Sequence, residues 1–285
     1  MNGRRVSGAA RGEWRGARVG VGVDGCRGGW CGFALRATGF DGERFTEARL
    51  AGACESDLER LVGALGAPPR ARLCLDMPIG LPDGTATRAC DDAARRALGP
   101  RRSSLFAAPP RAVLHEVEHA VANVIARRAS GRGLSLQSFH LLPKVRAVDV
   151  WMRGSSAVAD RAVDRAVECH PELAFARLRG APMDEPKRTP GGRAARLELL
   201  ERLVPGARDA TEELLARHRR SELAHDDVAD ALVLAVVAAL PERAVESLGE
   251  VDGAIPVDAT GLAMRILAPR VDWRERATRP ARSPE

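Results

Sequence analysis

From Ala231 to Leu240 the chain is apolar without interruption, at the end of a segment, Glu222–Leu240, that reads as one long helix. A helix apolar on every side has to be enclosed by other elements. The rest of the chain must therefore build a layer over it. This run is well short of the roughly 20 apolar residues of a membrane span, as is every other run in the sequence. At 285 residues the length suits one large domain, or one domain carrying a sizeable insertion. With no Tyr, six Phe and four Trp, the core is expected to be aliphatic, mostly Leu, Val and Ala.

Strand signals come early. Arg18 to Asp24 alternates Val19, Val21 and Val23 with Gly20, Gly22 and Asp24, a period of two. A GCRGG turn leads to a second strand over Trp30–Ala37, and a TGFDGE turn to a weaker third over Arg44–Leu50, an antiparallel meander. Leu58, Leu61, Val62 and Leu65 then fall at helical spacing, with Ser56 placed as N-cap. Arg72–Asp76 is short and almost wholly apolar, the pattern of a central strand buried on both faces. The order is thus β-β-β-α-β.

From about residue 80 to 160 the character turns helical, in CDDAARRALG, Arg111–Arg128 and Leu134–Met152. Ala162–Cys169 reads as a further strand, residues 193–218 as an amphipathic helix interrupted at Pro205, and Met264–Leu267 as one more short strand. No internal repeat is found.

The net charge of +6 belongs to the ends. Residues 1–18 carry +4 and residues 270–285 carry +2, so both are expected to be disordered basic tails flanking one domain over 19–269. That domain is neutral and offers no electrostatic footprint for long nucleic acid. Lys occurs only at 144 and 187. Six cysteines without a CxxC pair, and an Arg-rich start without an apolar centre, lead to the expectation of a reduced cytoplasmic protein with no zinc site.

Four acidic segments carry the chemistry. Asp24 closes the first strand beside Gly25, Gly28 and Gly29, which would let a ligand approach the backbone. Asp76 ends an apolar strand, where an unpaired buried charge is too costly to go without a partner, a metal or an opening to solvent. Both would lie at carboxyl ends of strands, where ligands collect in sheets with parallel strands. Asp227 and Asp230 stand three apart on one face of the apolar helix, with Asp226 as a candidate N-cap. Glu168 is placed inside a strand, suited to a salt bridge or a metal, and is followed by His170 and Glu172. Residues 100–106 and 185–192 offer Arg101, Arg102, Lys187 and Arg188 to a phosphate, although neither is a Walker loop.

This order of elements, with Asp on the first strand, Asp ending the fourth and an acidic helix near the end, resembles the ribonuclease H-like superfamily. More closely, VGVDGCRGGW, LDMPIGLP, RACDDAARRALGPRRSSLFAAPPRAVL, PKVRAVD, ECHPELAF and HDDVADAL are similar, in order, to a bacterial and archaeal family, domain of unknown function 429, described as a predicted nuclease. The resemblance runs from about Val19 to Leu240. It implies a ribonuclease H-like mixed α/β sheet, three antiparallel strands and then parallel ones, with a helical insertion after strand four. It places Asp24, Asp76 and Asp227 or Asp230 at the metal positions, with Glu168 nearby; both helix aspartates are kept as candidate catalytic metal ligands, and Glu168 as a candidate metal ligand. This chain has Ala147 where the family usually carries an acidic residue, so any role there is lost or passes to Asp149.

The expected activity is phosphodiester hydrolysis with Mg²⁺ or Mn²⁺, the hard ions that oxygen ligands suit, and nucleic acid, DNA or RNA, is the expected partner. Two alternatives stand beside it. One is a nucleotide-binding phosphotransferase of the actin-like ATPase group, which would need a second Asp-Gly phosphate hairpin that the sequence lacks. The other is a scaffold that kept the fold and lost the chemistry.

Overall fold

The computed structural model describes residues 17–69, 71–85, 87–154 and 165–278. Its spine is a seven-stranded sheet. In chain order the strands are β1 (Arg18–Cys26), β2 (Gly29–Ala37), β5 (Arg49–Glu55), β6 (Arg72–Leu75), β7 (Ala166–Glu168), β8 (Val245–Leu248) and β9 (Ile266–Pro269), and they lie side by side as β5-β2-β1-β6-β7-β9-β8. β1, β2 and β5 pair antiparallel, β1, β6, β7 and β9 run parallel, and β8 closes the far edge antiparallel to β9. A separate two-stranded ribbon joins β3 (Gly39–Phe40) to β4 (Phe45–Thr46). The expected third strand, 44–50, is therefore two elements: its start pairs locally in the ribbon, and β5 begins only at Arg49.

Helices cover both faces. The helix α1 (Leu58–Ala64) is followed by α2 (Ala89–Leu98), α3 (His119–Ser130) and α4 (Leu136–Arg153), the last three lying between β6 and β7 where a helical insertion was expected. After β7 come α5 (Pro171–Arg179), α6 (Pro190–Leu203), α7 (Ala207–Ala216), α8 (His225–Ala239) and, past β9, α9 (Trp273–Thr278). Val21, Val23, Leu73 and Leu75 pack with Leu61 of α1 and with Val145, Val148 and Trp151 of α4 on one face. Phe33, Leu35, Cys74 and Val167 pack with α5 to α8 on the other. The insertion is thus not an appendage, because its last helix is one wall of the core.

The apolar helix is central, as its composition requires. All twelve residues from Val228 to Ala239 are buried. It lies directly on β1 because the glycines of the Val/Gly alternation face it. A Cβ on Gly22 would come within 2.1 Å of the Ala231 carbonyl oxygen and the Ala235 amide nitrogen, and one on Gly20 within 2.2 Å of the Ala239 amide nitrogen. The alternation therefore encodes a valine face for α1 and α4 and a bare backbone face for α8.

Boundaries differ from the sequence expectations in several places. Asp57, not Ser56, caps α1, its carboxylate accepting from the Arg60 amide at 2.8 Å. The stretch 111–128 becomes a 3-10 turn at Arg111–Val113 before α3 starts at His119. The interruption expected at Pro205 is present, and Val204–Gly206 separate two helices, the first of which starts earlier, at Pro190. The tail expected from residue 270 instead contributes α9, whose Trp273 is 2 % exposed and stacks near Phe40. β8 had no sequence signal. Residues 1–16 and 279–285 of the expected tails, and 162–164 of the expected strand, lie outside the described residues. Among the described residues no helix is long and apolar enough to cross a membrane. The six cysteines form no disulfide.

Candidate functional site

The carboxyl ends of β1 and β6 place two of the acidic residues next to each other. Val23 is in register with Leu75, and the Asp76 amide donates to the Val23 carbonyl at 3.0 Å. Asp24 follows Gly20 and Gly22 on the face of β1 that meets α8, so its carboxylate turns toward that helix's first turns. It is 6 % exposed and accepts from the Gly25 amide at 2.7 Å.

The helix supplies the other two. The N-cap of α8 is Ala224, not Asp226, and Asp227 at the third position reaches back to accept from the Ala224 amide at 3.1 Å. Alanine has no side-chain acceptor, so Asp227 supplies only the reciprocal half of a capping box, taking the amide of the N-cap residue itself. Asp230, one turn on and 2 % exposed, accepts from the Lys187 ammonium at 2.5 Å. Asp24, Asp76, Asp226, Asp227 and Asp230 all line one cavity of about 580 Å³, with Lys187 and Arg188 at its side.

Asp24, Asp76, Asp227 and Asp230 are too close and too dry to ionise freely. Burial, then repulsion from Asp76 and Asp230, pushes Asp24 well above the usual carboxylate range. Burial pushes Asp76, Asp227 and Asp230 up to about 6 each, against the pull of Lys187. Burial pulls the Lys187 ammonium down, but Asp230, Asp24 and Asp76 outweigh it and leave it raised. One ammonium thus stands among five carboxylates, Asp226 included at 4.0 Å.

Glu168 reaches the cavity wall, but its charge is spent elsewhere. Both oxygens take the Arg88 guanidinium, at 2.7 and 2.9 Å, and Oε2 also accepts from the Ile79 amide at 3.0 Å. Arg88 is in turn paired with buried Asp91. Of the two roles open to a strand Glu, the salt bridge is the one observed. His170 lines the same cavity with both ring nitrogens engaged: Nδ1 accepts from the Leu173 amide at 3.4 Å and Nε2 donates to the Ser104 carbonyl at 3.2 Å. Burial lowers its pKa, which matches that neutral tautomer. Glu172 pairs with buried Arg196 at 2.7 Å.

Several other polar residues are structural. Lys144 donates to the Gly29 carbonyl at 2.5 Å and lies 4.8 Å from the Trp30 ring centroid. A Cβ on Gly25 would meet its stem and one on Gly28 would meet Glu222, so these glycines admit protein rather than ligand. Arg101 is bound to the carbonyls of Met183 and Asp184. Asp149 does not inherit a role from position 147, since Arg111 and Arg153 hold it at 3.0 and 2.6 Å, away from the cavity. The buried arginines Arg88 and Arg196 were missed. The only hint was the string around them, where charged residues recur on otherwise ordinary helices.

The donor set has the chemistry of a hard-cation site: carboxylate oxygens only, crowded, with less positive charge than they need. Among the described residues no group of three or more His, Cys, Asp or Glu is placed so that it could hold a metal ion as it stands. Lys187 occupies Asp230, one of the oxygens such a site would use.

Fold and site together define a mixed α/β protein with a buried carboxylate cluster at the carboxyl ends of two parallel strands. The family model described as "Protein of unknown function (DUF429)" matches residues 22–251, and the chain belongs to that family. No curated protein and no solved structure matches the chain.

Proposed function

We propose that this protein is a divalent-metal-dependent phosphodiesterase acting on nucleic acid, built on a ribonuclease H-like sheet. The fold part rests on three antiparallel strands followed by parallel β6 on the other side of β1. The activity rests on one observation: Asp24, Asp76, Asp227 and Asp230, from three separate elements, converge on a single cavity and face one ammonium. Mg²⁺ or Mn²⁺ would be held by these four carboxylates, and Glu168 stays with Arg88. When bound, such ions supply positive charge that eases ionisation of an attacking water and offsets charge on the leaving oxygen.

The chain's own residues do the rest. Asp227 is fixed by the helix start it caps, and Asp24 by the strand that α8 presses on, so neither carboxylate needs to reorganise. Lys187 is the cationic partner. Its side chain is 39 % exposed, and on release from Asp230 its ammonium is positioned to meet a phosphate. Arg188, 85 % exposed at the cavity edge, offers a forked donor to the same anion. Leu105, Phe106 and Leu141 wall the cavity on its apolar side and limit water access.

The test is incubation of the purified protein with Mg²⁺ or Mn²⁺ and single-stranded, duplex, hybrid and junction substrates, beside an Asp24→Asn variant. Metal-dependent cleavage lost in the variant is the expected result. A folded protein that cleaves nothing, or a variant as active as the parent, overturns the reading.

A further inference from the structure

The opposite end of the sheet carries the opposite charge. Arg18 is the first residue of β1 and Arg72 the first of β6, while Arg165 and Arg265 immediately precede β7 and β9. These four strands are parallel neighbours in that order. At a strand spacing of about 4.8 Å, four positions in a row cover roughly 14 Å. All four arginines line one cavity of about 420 Å³, together with the end of α8 at Ala238–Leu240.

The cavity's positive charge is poorly balanced. Among the described residues its one carboxylate is Glu242, which is 85 % exposed and pairs with Arg72 at 2.6 Å. Arg72 also caps α8, donating to the Leu240 carbonyl at 3.1 Å, and Arg165 donates to the Ala71 carbonyl at 2.7 Å. The side chains of Arg18 and Arg265 have no hydrogen-bond or ion-pair partner among the described residues. Burial and then the neighbouring Arg243 and Arg72 lower the pKa of Arg18, with no carboxylate acting against them. Two guanidiniums, those of Arg18 and Arg265, lining a concave site with no counter-ion of their own among the described residues, are what an anion of matching charge would complete.

We propose that this arginine row binds a small polyanion carrying two or more phosphate groups, at a site separate from the carboxylate cavity. Two unengaged guanidiniums, each able to take one phosphate in a forked pair, set the minimum of two groups. The volume lies within the range of small-ligand pockets and excludes a duplex. The two cavities are joined by α8, whose 15 residues put its ends about 22 Å apart. The proposal does not depend on the hydrolytic reading, since it concerns other residues and another ligand charge.

Calorimetric titration of the full chain with tripolyphosphate in excess EDTA tests it, beside Arg18→Ala, Arg265→Ala and, as control, Asp24→Asn. Saturable binding is expected, weakened roughly tenfold by either arginine substitution, as for loss of one charge-assisted pair, and unchanged in the control. Neither arginine side chain holds a partner among the described residues, so circular dichroism should show both variants folded. Absence of saturable binding would overturn the proposal. Binding that survives both substitutions would move the anion to another arginine-rich part of the chain and overturn it as well. Equal affinity for citrate would overturn the assignment to phosphate.

Discussion

The Lys187 ammonium sits 2.5 Å from the Asp230 carboxylate, and this ion pair fills the place in the acidic cavity where a cation is most needed. The loop at 185–189 thereby ties α6 to α8, and the protein without metal is relieved of part of its crowding.

Replacing the ammonium should expose that crowding. For Lys187→Met we expect a loss of about 2 kcal/mol near neutral pH, because the partner carboxylate stays buried while the lysine end is partly exposed. Mn²⁺ should restore more stability to this variant than to the parent, since the lysine no longer competes for Asp230. Thermal unfolding with and without Mn²⁺ measures both. A variant that Mn²⁺ stabilises less than the parent would mean that the lysine does not compete with cations.

The cavity should also give the protein an unusual pH profile. Asp76, Asp227 and Asp230 titrate at about 6 in the folded chain, against about 4 when unfolded. The folded state therefore takes up protons between about pH 6 and 4 that the unfolded state does not. Stability contributed by these groups rises as pH falls through that window, and their full cost is present above it. Below about 4 the trend reverses. There Asp258 begins to lose its partners: despite burial, the Leu81 amide, Thr260, the Leu262 amide and Arg111 hold it at about 2. Asp76→Asn should accordingly stabilise the metal-free protein by roughly 1–2 kcal/mol at pH 8 and by nothing measurable at pH 4. Urea unfolding at the two pH values decides it, and an equal effect at both would rule out a raised Asp76.

Much of this was legible in the chain because it follows from local pattern. The alternation at Val19–Asp24 named both β1 and the face of Asp24, and the apolar run after Asp230 named a buried helix. The metal candidates at Asp24, Asp76, Asp227 and Asp230 were found because each carboxylate ends or begins an apolar run, an expensive arrangement that needs a reason. What stayed hidden depends on residues far apart in sequence. Glu168 meets Arg88 across 80 positions, and Arg111 meets Asp258 across 147. No periodicity links such pairs. The end of the domain was missed for the same reason: α9 is short and charged, and only its docking on Phe40 and Phe45 through Trp273 reveals it as part of the core.

Close approach of α8 to β1 makes a sharp prediction at Gly22. A methyl there would meet backbone atoms of Ala231 and Ala235 that cannot move without displacing the helix. Gly22→Ala should cost about 3 kcal/mol or more and tilt α8, carrying Asp227 and Asp230 out of line with Asp24. Gly63 provides the contrast. It lies inside α1 with nothing within 4 Å of its would-be Cβ. Gly63→Ala should stabilise by roughly 0.5–1 kcal/mol through helix propensity alone. Denaturant midpoints of the two variants, read together, check that the effect at Gly22 is packing and not a general intolerance of alanine.

Glu168 allows structural and ligand roles to be separated by experiment. Arg88 is 1 % exposed and bridges Glu168 to Asp91. Removing its charge in Arg88→Met strands two buried carboxylates and should cost about 3–5 kcal/mol. Adding Glu168→Gln to that variant should recover part of the loss, because one of the stranded charges is then gone, and the non-additivity measures the coupling of the pair. Glu168→Gln alone keeps the shape but weakens a charge-assisted fork to neutral hydrogen bonds, at about 1–3 kcal/mol. Since its oxygens already serve Arg88, the gain in thermal stability on adding Mn²⁺ should be the same in Glu168→Gln as in the parent. That gain should shrink in Asp24→Asn, whose carboxylate faces the cavity without a cationic side chain bound to it. A Mn²⁺ response lost in Glu168→Gln would instead bring Glu168 into the ligand set and require Arg88 to release it.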